Sequence, residues 1–272
     1  MSEAESWTRR VEAHHAQSLK AQGNSGPPGD FWRPFASAFR SDPRRTDDPV
    51  LDSILRHVTT DSTALDVGGG AGRLALPLAL RCTHVTVVEP SEAMVEELRE
   101  AMREAAIENL SIVEGTWEEV EVDPTDVVLC AHVVYGVEDI EDFVRKLDSS
   151  AVKRVLILAF IESPQANLSP MWEPVHGQER VDLPALPELM GVLWEMGISP
   201  DLEMLDTGAR GGFESWDVAI EQLRRRLYVA PDTEPDRRLQ SAARELLVDT
   251  PDGLVVRGTP PRQQGLVSWR PE

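Results

Sequence analysis

Cysteine is nearly missing from this 272-residue chain: only Cys82 and Cys130 occur, and no Cys-x-x-Cys pair exists. That leaves neither a zinc ribbon nor a disulfide framework to build, and a reduced, cytoplasmic setting is expected. Long apolar runs are lacking as well. Stretches such as 73–80 and 155–161 fall well short of the roughly 18 residues that span a bilayer. The opening MSEAESWTRRVEAHH has mixed charge and no apolar segment behind a basic start. Neither a signal peptide nor a membrane anchor is therefore expected. Repeats and low-complexity tracts are not found. The acidic residues are scattered without ligand spacing, so no metal site is expected.

Positive charge is scarce: 27 Lys and Arg stand against 47 Asp and Glu, a formal net charge of −20. Such a surface repels phosphate backbones, whose binding depends on Lys and Arg displacing counterions. The cluster Arg224–Arg226 lies in a helical pattern among acidic neighbours and reads as a solvated face. The expected partner is a small-molecule substrate, not nucleic acid or membrane, and the oligomeric state is left open.

Apolar residues make up 41% of the chain, enough for a sizeable core. Strand-like segments at 63–67, 84–90, 110–115, 126–134, 154–161, 202–207 and 266–269 alternate with helical patterns at 71–81, 91–104, 138–148 and 186–196. Further helices are expected at 6–22, 49–58, 214–228 and 234–248, the second capped by Asp48 with Pro49 in its first turn. Gly23–Asp30 is a break, and 31–39 carries Phe31, Trp32, Phe35 and Phe39 at near-helical spacing. Continuously apolar, β-branched strands alternating with helices predict a mostly parallel, doubly wound sheet. Ligands bind such sheets at the carboxyl ends of the strands, where strand order reverses. Pro77 conflicts with the helix at 71–81, because it removes a backbone donor.

The segment after the first strand reads Asp66-x-Gly68-Gly69-Gly70-x-Gly72. Glycine lets the backbone turn tightly and lets a ligand approach the peptide plane. Amides at the following helix start attract a carboxylate. Asp66 suits a ligand with a positive amino group and would repel a pyrophosphate. Glu89, 17 residues past Gly72, ends the second strand where an acid can accept hydrogen bonds from both hydroxyls of a ribose. Together these predict a ligand with a ribose and an amino acid tail. Residues 70–75 also fit the dinucleotide pattern G-x-G-x-x-A, but Asp66 and the earlier glycines argue against it.

These residues resemble the class I S-adenosylmethionine-dependent methyltransferases of the type 11/12 kind. The first motif of that family lies at Asp66, Gly68, Gly70 and Gly72, with Gly69 between them, and its ribose-binding acid at Glu89. The resemblance covers about residues 46–210. It implies an α/β fold: a doubly wound, mostly parallel, seven-stranded Rossmann-like sheet. An N-terminal helical cap over 1–45 and a helical insertion near 213–248 within the 46–272 domain complete it. It also implies S-adenosyl-L-methionine as cofactor, S-adenosyl-L-homocysteine as product, and cofactor contacts from Pro90, Met94, Gly115, Thr116, Trp117, Ala131 and His132. Where the family often carries an acid for adenine, this chain has Thr116 and Trp117. The implied activity is methyl transfer to a small molecule, at oxygen or nitrogen before carbon. A catalytically silent cofactor-binding module and an NAD-dependent oxidoreductase are the alternatives.

Methyl transfer from a sulfonium needs alignment and water exclusion, and an oxygen or nitrogen acceptor can also need a base. His132 and Tyr135 are the candidate catalytic residues. His132 also reads as a polar residue shaping the cofactor pocket, and that reading is preferred. Candidate substrate residues are Trp32, Tyr135, Trp172 and His176, the last two in the long connection at 162–182. His14 and His15 are expected to be solvated. The aromatic segment at 31–39 is either a lid or a helix burying its apolar face, with the second preferred.

Overall fold

The computed structural model describes residues 1–23, 29–205, 212–251, 253–259 and 262–271. In chain order its helices and strands are α1 Glu3–Gln22, α2 Pro49–Leu55, β1 Thr63–Val67, α3 Ala75–Ala79, β2 His84–Glu89, α4 Glu92–Ala105, β3 Leu110–Glu114, β4 Thr125–Ala131, α5 Ile140–Ser150 and β5 Ala151–Phe160. There follow α6 Ser169–His176, α7 Leu186–Glu195, β6 Asp201–Leu205, α8 Trp216–Arg226, α9 Glu234–Leu246, β7 Leu247–Thr250, β8 Gly253–Val256 and β9 Gln264–Trp269.

Seven strands form one sheet in the order β3-β2-β1-β4-β5-β9-β6. All pair in parallel except β9, which runs antiparallel to both β5 and β6. The sheet is thus the doubly wound, mostly parallel one expected. The order reverses between β1 and β4, and the turn after β1 opens at that crevice. One face buries Trp7 and Val11 of α1 with Phe143 of α5 and Leu189 of α7. The other buries Ile54 of α2, Leu76 of α3 and Leu98 of α4. A third cluster joins Met171 and Trp172 of α6 to Leu223 of α8 and Leu239 of α9.

Local signals explain the starts of several helices. Asp48 accepts the N–H groups of Val50 and Leu51 ahead of Pro49, and Ser91 accepts that of Met94 to open α4. Helix α1 is held to the sheet by the Trp7 indole N–H, which donates to the Val137 carbonyl at 2.7 Å. His14 is not solvated as expected. It is 3% exposed, donating from Nδ1 to the Val181 carbonyl while Nε2 faces the Arg180 guanidinium. Burial, then Arg180, pushes its pKa down to about 4, so it stays neutral.

Three further expectations need correction, and two segments carry elements that were not expected. The helix at 71–81 is reduced to the five residues of α3, because Gly70 and Gly72 take left-handed φ values of 57° and 85° and Pro77 withdraws a donor. The fourth strand ends at Ala131 rather than 134. His132 adopts φ 61°, and a short 3-10 turn over Val134–Gly136 follows. The 162–182 connection contains α6, and 247–256 forms the hairpin β7–β8. The 31–39 segment buries no aromatic face. It is turn followed by a 3-10 turn at Ala36–Phe39, with Phe31, Trp32 and Phe39 exposed and edge-packed on one another. Only Ala36 is buried there, against Ala71, Ala93 and Met94. The end of the sixth expected strand, at 206 and 207, and most of the Gly23–Asp30 break lie outside the described residues.

Candidate active site

Asp66 sits next to last in β1 with its side chain 1% exposed, and its Oδ2 has no hydrogen-bond partner. Burial pushes its pKa up to about 7, with Arg73 opposing and Glu89 adding to the rise. The Ala75 N–H serves the carboxyl group, which leaves Oδ2 as a buried oxygen without a donor, one that a ligand can supply. The turn above it is tied down by the Gly68 N–H, which donates to the Val88 carbonyl at 2.8 Å.

The four glycines of the turn serve two purposes. A Cβ on Gly68 would strike Val133, one on Gly69 would come within 2.8 Å of Val87 Cγ1, and one on Gly72 within 2.5 Å of Leu98 Cδ1. These three admit close packing of the protein on itself. A Cβ on Gly70 would meet only Met94 Sδ, at 3.8 Å. Gly70 is therefore the member of the set whose open face can receive a ligand.

Glu89 ends β2, 5% exposed, and binds both loops at once. Its Oε2 accepts the Gly70 N–H at 2.8 Å and its Oε1 the Ser91 N–H at 2.9 Å. Burial raises its pKa against the pull of these two donors. Asp30 was not anticipated. Its Oδ2 accepts the Ser91 hydroxyl at 2.6 Å and the Ala93 N–H at 2.9 Å. This latches the N-terminal segment to the start of α4 beside Glu89. Against an opposing desolvation, those donors and the Trp32 N–H hold the Asp30 carboxyl below its usual range. A hint was available in Asp as a capping residue type, but Ser91 and Ala93, which it serves, stand 61 and 63 positions further on.

His132 stacks on Phe160, with ring centroids 4.1 Å apart. The Tyr135 hydroxyl accepts the Phe160 N–H at 2.7 Å and lies 3.2 Å from His132 Nδ1, to which it can donate. Burial, then Arg73 and Arg262, pushes the His132 pKa down to about 3. Burial raises that of Tyr135. Neither group is ionised near neutrality, and each is engaged by the other.

The remaining expected site residues are placed as follows. Met94 is buried against Ala36 and Ala71 beneath Gly70, and Pro90 is exposed between Glu89 and Ser91. The Gly115 N–H donates to the Glu89 carbonyl, setting the third strand's turn beside the second. Thr116 bonds Glu119. The Trp117 ring is turned into the core against Phe143 with Lys146 over it, so an adenine would meet its backbone and not its ring. Ala131 leads directly into His132. Trp32 is exposed on the 31–39 segment. Trp172 and His176 lie in the α6–α8–α9 cluster, where His176 faces the Leu227 carbonyl and Arg180 covers the Trp172 ring. The structure thus gathers Asp66, Gly70, Glu89, His132 and Tyr135 at the β1–β4 crevice and leaves Trp172 and His176 in a core of their own.

A doubly wound sheet with an antiparallel seventh strand, a glycine turn over one acid and a second acid on β2 defines the class I methyltransferase fold. Residues 64–152 match the family model described as a methyltransferase domain. An uncharacterized protein of Haemophilus influenzae is 28% identical over 153 residues, 56% of each chain. The ubiquinone biosynthesis O-methyltransferase of Rickettsia felis is 30% identical over 101 residues, 36% of this chain and 41% of that one. The chain spans about half the length of these curated relatives. Among solved structures, YcgJ of Bacillus subtilis superposes with a TM-score of 0.55 at 14% identity, over 81% of this chain and 97% of that one, and so shares its fold. Among the described residues no helix is long and apolar enough to cross a membrane.

Proposed function

We propose that this chain transfers a methyl group from S-adenosylmethionine to a small-molecule acceptor in the cytoplasm. The observation that carries the reading is the orphaned Asp66 Oδ2 beneath a turn whose Gly70 face is open. A zwitterionic amino acid tail supplies the missing donor, and a dinucleotide pyrophosphate does not. The bound cofactor would contribute an electrophilic methyl on a positively charged sulfur. Asp66 would hold its ammonium group, Gly70 would admit its backbone-facing edge, and Glu89 would accept its ribose hydroxyls on the lone pairs not taken by Gly70 and Ser91. Pro90, Met94, Gly115, Thr116 and the Trp117 backbone would border the adenine, and Ala131 with His132 the sulfur end.

The His132–Tyr135 pair favours an acceptor that needs no base from the protein. A neutral imidazole with so low a pKa is a weak base, and the tyrosine hydroxyl is spent on Phe160 and His132. Their role is to shape the wall, to align the acceptor and to exclude water. An ionised oxygen, such as a phenolate, or a free amine meets that requirement. The Rickettsia enzyme, named for O-methylation, is consistent with an oxygen acceptor. The net charge of −20 favours a small molecule over a nucleic acid.

Calorimetric titration with S-adenosylhomocysteine and with NAD tests the cofactor. Saturable binding of the first alone is expected, and binding of NAD in its place would overturn the reading. Turnover of a labelled methyl donor across a metabolite panel tests catalysis. Binding without turnover of any acceptor would leave the silent module as the better description.

A further inference from the structure

Helix α4 carries glutamates at Glu92, Glu96, Glu100 and Glu104, a strict four-residue spacing that stacks like charges along a single face. Such a row repels itself. Arg99 of the same helix pairs with Glu114 on β3 instead. The neutralising charges come from the segment before α2. Arg33 reaches Glu92 at 3.0 Å and Glu96 at 3.5 Å. Arg40 reaches Glu97 at 3.6 Å, Glu100 at 3.5 Å and, further along, Glu104. Arg44 closes the far end by donating to the Ala105 carbonyl at 3.1 Å. Residues 30–44 therefore follow α4 from its first turn to its last.

The near end of this segment meets the crevice. Asp30 Oδ2 takes two donors there, the Ser91 hydroxyl and the Ala93 N–H. The Ser91 hydroxyl oxygen accepts the Met94 N–H at 3.2 Å, and the Ser91 N–H donates to Glu89 Oε1. Ser91 is thus fixed by Asp30 and in turn fixes one oxygen of Glu89, while Gly70 fixes the other. Further along, Ala36 is seated against Ala71 of the glycine turn and against Ala93 and Met94. The segment so touches both motifs of the site. Its ion pairs face water, with glutamate side chains 24–73% exposed. Exposed pairs are weak singly and are screened by salt, so their joint hold varies with ionic strength as that of a buried tie does not.

We propose that residues 30–44 form an electrostatic clasp on α4 that, through Asp30 and Ser91, holds Glu89 in position for the cofactor's ribose, so that the grip on the cofactor loosens as ionic strength rises. Asp30 is a positioning residue in this scheme, acting through Ser91 and Glu89 and not on the ligand. The inference rests on the S-adenosylmethionine reading and adds a means of regulating that same site.

The test is calorimetry on the full chain at about 0.01 M and about 1 M sodium chloride, between which the Debye length falls from about 30 Å to about 3 Å. One ligand is S-adenosylhomocysteine, whose charges sum to zero near neutrality, so screening acts little on the ligand itself. The other is its 2′,3′-dideoxy analogue, which has no ribose hydroxyl to offer Glu89. Wild type should bind S-adenosylhomocysteine roughly 3–10-fold more weakly at the higher salt, while the analogue changes less than about twofold. Combining Arg33→Gln with Arg40→Gln should bring the low-salt affinity to the wild-type high-salt value and remove most of the salt effect. Asp30→Ala should weaken S-adenosylhomocysteine selectively, and Asp30→Asn, which keeps an acceptor oxygen for Ser91 and Ala93, should restore most of the loss.

An affinity indifferent to salt, an equal salt effect on both ligands, or a salt effect that survives in the arginine double variant would overturn the clasp. So would an Asp30→Ala loss shared equally by the dideoxy analogue, the result that a general loosening of α4 would give. Melting temperatures accompany each variant. Because Arg33 and Arg40 pair in contact with water, their double variant keeps the test decisive even if Asp30→Ala fails to fold. A wild-type chain that binds no S-adenosylhomocysteine at either salt would instead sink the cofactor reading, and this inference with it.

Discussion

Glu89 Oε2 accepts the backbone N–H of Gly70 at 2.8 Å, across 19 residues of chain. The acid that ends the second strand therefore holds the turn that ends the first. The two motifs of the site are one hydrogen-bonded unit before any ligand arrives, and Ser91 and Asp30 extend that unit to the N-terminal segment.

Removing Glu89 should accordingly have two effects. Glu89→Ala frees the Gly70 and Ser91 N–H groups inside the protein and deletes the acceptor proposed for the ribose. Affinity for S-adenosylhomocysteine should fall by about 1–3 kcal/mol, and the ligand-free melting temperature should fall as well. Calorimetry paired with thermal denaturation checks both. Unchanged affinity would remove Glu89 from the ribose.

The glycines should separate by mutation. Gly70→Ala places a methyl in open space at φ 57°, so the chain should fold at a cost of about 1–2 kcal/mol for the left-handed backbone and lose ligand affinity. Gly72→Ala drives its Cβ within 2.5 Å of Leu98 Cδ1 and 2.9 Å of Leu76 Cγ, and should destabilise the fold more than Gly70→Ala does. Melts and binding curves of the two variants, compared side by side, decide the point. A Gly70→Ala chain that binds normally would show the ligand to lie elsewhere.

Asp66 should make binding pH-dependent. Its folded pKa, about 7, is raised above the unfolded value, so its contribution to stability is fully present below about 4 and is lost as pH rises through about 7. Asp66→Asn should then stabilise the ligand-free protein at pH 8, by up to about 4 kcal/mol from the linkage relation. An ammonium partner lowers the Asp66 pKa in the complex. Affinity for S-adenosylhomocysteine should therefore rise with pH up to about 7, with proton release, and decline at higher pH as the ligand's own amine loses its proton. Calorimetry in buffers of different ionisation enthalpy reads the proton count. Proton uptake on binding near pH 6 would contradict this role.

Tyr135→Phe should act on stability first. It leaves the Phe160 N–H without its acceptor at a half-buried position, a loss of about 1–3 kcal/mol, and lets the His132 ring turn. Thermal denaturation should show a drop of several degrees, with S-adenosylhomocysteine affinity largely kept. A variant as stable as wild type would mean that the hydroxyl does not serve Phe160.

The sheet, its parallel run, the Asp66–Gly72 turn and the Glu89 acid were readable from sequence because each is local. A buried strand needs only its own apolar run, and a tight turn only its own glycines. The aromatic segment at 31–39 was misjudged for the complementary reason: spacing describes one face, but whether a face is covered depends on what stands opposite. His132 makes the same point, since the stack on Phe160 and the bond to Tyr135 join residues from the ends of two strands.

Chain order alone determined the class of fold, and the kind of ligand proposed follows from one acid, one run of residues without side chains and a second acid at strand ends. The tertiary structure decided which glycine faces outward, which amides are already taken, and which charges lack partners. Those are questions of what occupies the space around an atom, and close packing answers them only when distant segments meet.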